Sequence, residues 1–176
     1  MNIHLRDSTD TDIPAITAIY AHAVTHGLAS FEYEAPDAAE MARRRAAILA
    51  AGYPHIVAER CGDIAGFAYA SAYRPRAAYR FTVENSIYVA PTGQRGGVGS
   101  ALLHALIARC EAAGCRLMVA VIGGSANLAS IGLHAASGFA HAGLLPAVGW
   151  KHGRWVDCVL MTRPLGDGAS QPPPGS

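Results

Sequence analysis

The chain has 176 residues, enough for one domain with a sizeable core, and 51% of them are hydrophobic, which excludes a disordered polymer. Its formal net charge of +1 offers nothing to a nucleic acid or an anionic membrane surface, and neither partner is expected. No apolar run reaches the roughly 18 residues of a membrane span, the opening MNIHLRDSTD lacks the apolar core of a signal peptide, and the expected compartment is the cytosol.

Ile3 to Arg6 reads as a first strand. Ser8 to Asp12 supply N-caps and Pro14 suits a first helical turn, so Ile13, Ile16, Ile19, Tyr20, Ala23 and Val24 mark an amphipathic helix that Gly27 ends. The irregular segment Leu28 to Pro36 carries Phe31, Glu32, Tyr33 and Glu34, which either line a pocket or pack on the core. Asp37 with Glu40 opens a second helix, which runs to about Ala51. His55 to Arg60 and Ile64 to Ala72 form a hairpin around Cys61-Gly62-Asp63. Tyr79 to Val89 is long for one strand and is expected to carry a bulge near its middle. After a glycine-rich loop, Val98, Leu102, Leu103, Leu106, Ile107 and Cys110 fall at helical spacing as far as Gly114. Strand Leu117–Ile122, helix Asn127–Ser137, strand Phe139–Leu144, an aromatic loop from Pro146 to Trp155 and strand Val156–Met161 complete the domain. From Gly166 to Ser176 the composition is that of a disordered tail. Hairpin and crossover connections together argue for a mixed sheet with helices on its faces.

The four cysteines, at 61, 110, 115 and 158, form no C-x-x-C pair, and with the eight histidines they suggest neither zinc nor a disulfide framework; no metal is expected.

The stretch from Val83 to Ala113 carries the chemistry. It is strand, glycine loop and helix, and the first turn of a helix presents backbone N–H groups with no intrahelical partner, in a field that favours anions. Gly96, Gly97 and Gly99 let an anion approach the main chain, and Arg95 adds a charge. The loop alone fits either a phosphate site or a plain connection. A dinucleotide fingerprint is excluded because its third glycine position is Leu102, and a P-loop because G-K-[ST] is missing.

The pattern Q-x-x-G-x-G, as Gln94, Gly97 and Gly99, resembles the acetyl-CoA pyrophosphate loop of the GCN5-related N-acetyltransferases (GNAT). A second segment, Asn127 to Gly138-Phe139, is similar to that family's second cofactor segment, and both lie in register within a resemblance running from about Ile3 to Leu165. It implies a single α/β domain over residues 1–165, a mixed, mostly antiparallel sheet of six or seven strands with helices on both faces, and central strands splayed around acetyl-CoA. It also implies cofactor contacts from Ile87, Tyr88, Val89, Gln94, Arg95, Gly96, Gly97, Val98, Gly99, Ser100 and Asn127. Asn127 also suits a plain helix cap.

Acetyl transfer to an amine needs a base, stabilisation of the carbonyl oxygen and a proton for the departing thiolate. Glu84, on the strand before the loop, is the candidate base; the residue alone fits a structural carboxylate equally well. Many family members carry a tyrosine proton donor where this chain has His134, which reads as donor, cofactor contact or satisfied helix histidine.

The segments Ala29–Pro36, Arg74-Pro75-Arg76, Thr82–Ser86, Ile131–His134 and Gly149–Trp155 are together similar to the phosphinothricin and methionine sulfoximine acetyltransferases. That resemblance implies an amino-acid-like acceptor acetylated on its α-amino group. Arg74 or Arg76 would bind its carboxylate, or be plain surface charges; Phe31 and Tyr73 would wall its side chain, with Pro75, Asn85 and Ser86 alongside. It further implies a homodimer. Two other readings stand beside it: an acetyltransferase of peptide or protein N-termini, and a non-catalytic acetyl-CoA-binding module.

Overall fold

A computed structural model describes residues 2–173. Its strands are β1 (His4–Asp7), β2 (His55–Arg60), β3 (Asp63–Ala72), β4 (Thr82–Val89), β5 (Leu117–Gly123), β6 (Ala140–Lys151) and β7 (Arg154–Pro164). Its α-helices are α1 (Ile13–His26), α2 (Ala38–Ala50), α3 (Val98–Ala112) and α4 (Leu128–Ala136). The strands make one seven-stranded sheet in the order β1-β2-β3-β4-β5-β7-β6. Every neighbouring pair is antiparallel except β4 with β5.

Side chains alternate across a strand, so each central strand feeds two layers. Ile56, Ala68, Val83, Met118 and Ala120 point to the side covered by α3, against Leu102, Leu103 and Leu106. Val57, Phe67 and Tyr88 point to the other side, against Ile16, Tyr20 and Val24 of α1 and Met41 of α2. The sheet is thus covered on both faces, as expected.

Three expectations are corrected. Tyr79 lies in a 3₁₀ turn, Ala77–Tyr79, so β4 begins at Thr82. The β3–β4 register runs unbroken from Gly66–Val89 to Ala72–Val83, so β4 carries no bulge against β3. The stretch from Pro146 to Trp155 is a long hairpin rather than a loop. His152 and Gly153, with φ of 51° and 71°, supply the two left-handed residues of a two-residue hairpin turn. Pro146 sits where the ladder slips between Leu145 and Gly149, which accommodates its missing N–H. Beyond Leu165, Gly168 N donates to the Leu165 carbonyl and Ser170 N to the Asp167 carbonyl, forming turns, while residues 174–176 of the expected tail lie outside the described residues.

Candidate active site

The site begins where β4 and β5 part. Their pairing spans Thr82–Leu117, Val83–Met118 and Glu84–Val119, then stops. Beyond that point β4 still bonds to β3 but faces a gap on its other edge. Hydrogen-bonded residues of an antiparallel ladder alternate. Tyr73 N donates to Thr82 O and Ala90 N to Ala65 O, so even-numbered residues of β4 turn their backbone toward β3. Ile87 and Val89 therefore present N–H and C=O to the gap, whereas Tyr88 is tied into the ladder.

The open end of the fork meets the N-terminus of α3. Gly97 is the N-cap at φ 79°, a left-handed conformation that glycine adopts without strain, and no side chain caps the helix. The first internal bond found there runs from Ala101 N to Gly97 O, leaving the preceding N–H groups for a ligand. Arg95 also has positive φ, 58°, a cost of about 1 kcal/mol or more that a bare connection does not need. A cavity of about 970 Å³ runs from this loop through the fork to the C-terminal turn of α1. Glu84, Asn85, Ser86, Ile87, Tyr88, Val89, Gln94, Arg95, Gly97, Val98, Gly99, Ser100, Asn127 and His134 all line it. Gly96 does not; it makes room for the Arg60 guanidinium, which donates to the Thr92 carbonyl at 3.2 Å.

Strand alternation puts Glu84 and Asn85 on opposite sides of the sheet. Glu84 faces the α1 side, half-buried. Burial raises its carboxyl above the ordinary value, the Arg74 charge pulls the other way, and among the described residues no hydrogen bond offsets the burial. Asn85 is buried on the α3 and α4 side. Its Nδ2 donates to the Val119 carbonyl at 3.1 Å, closing the fork at its apex, and its Oδ1 lies 3.0 Å from His134 Nε2. Both ends of the Asn85 amide thus have partners within the protein. His134 Nδ1 lies 2.8 Å from the Ser130 carbonyl, and the ring meets Phe139 edge-on. Burial pushes the imidazole below its ordinary value, with the Ser130 carbonyl opposing. Asn127 caps α4, its side chain accepting from Ser130 N at 3.2 Å.

Five expected acceptor residues flank the cavity without lining it. Arg74, Pro75 and Arg76 are exposed beyond the end of β3, with the Arg74 guanidinium 5.0 Å from the Tyr73 ring centroid. The Phe31 ring packs against Gly149 and beside Gly123. The walls that the sequence did not reveal are His22 and His26 of α1, the turn from Gly27 to Ser30, and Ala120 to Gly123 of β5. His22 and His26 stand at i,i+4 spacing, an H-x-x-x-H pair on one face of α1, and their rings stack at 4.5 Å. Among the described residues no group of three or more His, Cys, Asp or Glu is placed to hold a metal ion.

The fork thus meets an uncapped helix end at its mouth and a half-buried carboxylate at its apex, and the comparisons give the family. A profile described as "Acetyltransferase (GNAT) family" matches residues 20–139, and the chain belongs to that family. It is 58% identical over 159 residues to a phosphinothricin N-acetyltransferase of Alcaligenes faecalis, covering 90% of this chain and 81% of that one. It is 41% identical over 176 residues to an L-methionine sulfoximine/L-methionine sulfone acetyltransferase of Pseudomonas paraeruginosa, covering 98% and 100%. Among solved structures, a GNAT superfamily phosphinothricin acetyltransferase of Sinorhizobium meliloti in complex with acetyl-CoA superposes with a TM-score of 0.96. It shares 48% identity, and the match covers 100% of this chain and 95% of that one.

Proposed function

We propose that this protein transfers the acetyl group of acetyl-CoA to the α-amino group of a small amino-acid-like acceptor of the phosphinothricin, methionine sulfoximine or methionine sulfone type. The observation that carries the reading is Glu84, a half-buried, unpaired carboxylate at the apex of a fork whose mouth is an uncapped helix N-terminus. The named activities of the similar proteins supply the acceptor class.

The fork fits a long cofactor with a phosphate-bearing end: Gln94 to Ser100 would hold the pyrophosphate, with Ile87, Val89 and Asn127 along the arm. When bound, acetyl-CoA supplies the activated acetyl group. Glu84 takes the ammonium proton, directly or through a water, so that the neutral amine forms the N–C bond as the C–S bond breaks. The N–H groups of Ile87 and Val89 meet the charge on the carbonyl oxygen. His134, held by Ser130 and Asn85, would donate a proton to the leaving sulfur by releasing Asn85 Oδ1, and the proton that the nitrogen sheds on becoming an amide replaces it. Arg74 or Arg76 pairs with the acceptor carboxylate, and Tyr73, Pro75, Ser86 and Phe31 bound its side chain.

Two further parts of the proposal concern the whole molecule. The edge strand β6 and its partner expose Leu144, Leu145, Val148, Trp150 and Trp155, an apolar border that supports a homodimer. All four cysteines are free thiols, which supports a reducing, cytosolic setting. Sedimentation at micromolar concentration tests the first of these, and a monomer would refute it.

Free-thiol release from acetyl-CoA tests the activity, with phosphinothricin, methionine sulfoximine, methionine sulfone, glutamate and short peptides as acceptors. Saturable turnover with the oxidised amino acids is expected. Turnover with peptides alone would replace this reading with a protein-modifying one. Tight acetyl-CoA binding without turnover would leave a binding module.

A further inference from the structure

We infer that Lys151 is a positioning residue: by donating to the Ser30 carbonyl it fastens segment 27–36, the acceptor-side wall of the cavity, to the β6–β7 hairpin. This inference rests on the acceptor side proposed above. Lys151 is the last residue of β6 and only 2% exposed, and its Nζ lies 2.6 Å from Ser30 O. An ammonium group at that depth is costly unless it is paired and bonded. Here it has the carbonyl, and the charge of Glu32 favours its protonated form against burial.

The remaining contacts describe a clasp. Tyr33 Oη donates to the Trp150 carbonyl at 2.7 Å, and His152 Nε2 lies 3.2 Å from the Gly27 carbonyl. The Phe31 ring lies in the space that a side chain at 149 would fill, and the Leu28 carbonyl in the space of one at 123; both positions are glycine. On the opposite side the segment is tied to the helices. Tyr20 Oη donates to Glu32 at 2.8 Å and lies 3.1 Å from Ser30 Oγ, and Arg44 donates to Glu32 at 2.6 Å. Segment 27–36 is therefore stretched between α1–α2 and the hairpin, with Leu28, Ala29 and Ser30 facing the cavity. Lys151 supplies the buried, charge-assisted tie, so it fixes how far this wall stands from Glu84 and how large an acceptor fits.

The test is Lys151→Met, which keeps the length of the side chain and removes the donor. Two readouts are taken: hydrogen exchange of segment 27–36 with acetyl-CoA bound, and steady-state kinetics with whichever acceptor turns over. Exchange across the segment should rise at least tenfold. Acceptor KM should rise about tenfold, the scale of one charge-assisted hydrogen bond, with kcat and acetyl-CoA KM within about twofold. A merely destabilised protein would instead lose kcat without a change in KM. Unchanged exchange would overturn the clasp, and faster exchange with unchanged acceptor KM would overturn the positioning role. Should Lys151→Met fail to fold, Tyr33→Phe cuts a second tie at an exposed side chain and should loosen the same segment; if it does not, the clasp is wrong. If no acceptor in the panel is turned over, the proposed activity fails, and the exchange measurement still decides the clasp.

Discussion

The two halves of the site are built in different ways. The cofactor half is β4, the glycine loop and α3, a continuous run from Thr82 to Ala112. Its parts are backbone: an edge freed by splay, a left-handed glycine and an uncapped helix end. The acceptor half joins Gly27 to Pro36 with the β6–β7 hairpin, through side chains 117 and 121 residues from the backbone groups they meet. Anion binding at a helix terminus is a local property of the chain, whereas the acceptor wall exists only once distant segments pack. Changes in the cofactor half should therefore act on acetyl-CoA or on the chemical step, and changes in the acceptor half on acceptor affinity.

The largest expected effect is at the apex, where the halves meet. Glu84→Gln should lower kcat by about 10² to 10⁴, the usual range for a general base, while calorimetry finds acetyl-CoA affinity unchanged. Turnover near the wild-type rate would remove Glu84 from the mechanism. Because burial raises its carboxyl, the wild-type rate should fall with decreasing pH at a point above the ordinary carboxylate value, as the base becomes protonated.

Next is acid sensitivity on the α1 and α2 side. His55 is 2% exposed, stacked at 5.5 Å on Tyr69, a wall of the cavity, with its Nδ1 unpartnered among the described residues. Burial lowers its pKa from 6.5 to about 4. The unfolded chain then binds a proton that the folded one refuses, so the contribution of His55 is complete above pH 6.5 and is lost as pH falls toward 4. That loss is roughly 3 kcal/mol at 1.36 kcal/mol per unit. His55→Phe should flatten this part of a stability–pH curve from urea titrations; an unchanged slope would place the acid sensitivity elsewhere.

Asn85→Ala should cost about 2 kcal/mol, because the Val119 carbonyl and His134 Nε2 both lose a buried partner. Thermal unfolding reads this directly, and a melting temperature equal to wild type would mean that the apex closes without it. Smallest is Gly97→Val. A β-branched residue at φ 79° costs about 1–2 kcal/mol, so acetyl-CoA KM should rise about tenfold with acceptor KM unmoved. An equal rise in both would show that the halves are not separable.

The difference between the halves also marks what could be read from residues. Gln94, Arg95, Gly97, Val98, Gly99, Ser100 and Asn127 reach the cavity because spacing and turn chemistry fix them locally. Arg74, Arg76 and Phe31 stand beside the cavity rather than in its wall, since nothing local says how far a surface loop folds back. The hairpin looks like a loop in the sequence because Pro146, Gly149 and His152-Gly153 mix breakers into a strand, and pairing with β7 overrides them. The length of the stretch up to Val89 suggests a bulge, but β4 pairs with β3 without one, and the β4–β5 ladder ends at Glu84–Val119, where the Asn85 side chain takes over.

By itself, the sequence determined the helices, the glycine loop, the family and the identity of a carboxylate before that loop. Each rests on patterns within a few residues, where periodicity and backbone chemistry leave little choice. Tertiary structure decided that Glu84 and Asn85 face opposite sides of the sheet onto different partners. It also decided that Ile87 and Val89 turn their backbone to the gap, and that Lys151 is buried against the Ser30 carbonyl. Those facts depend on register and on which distant strand lies alongside, and neither is encoded in any short stretch of the chain.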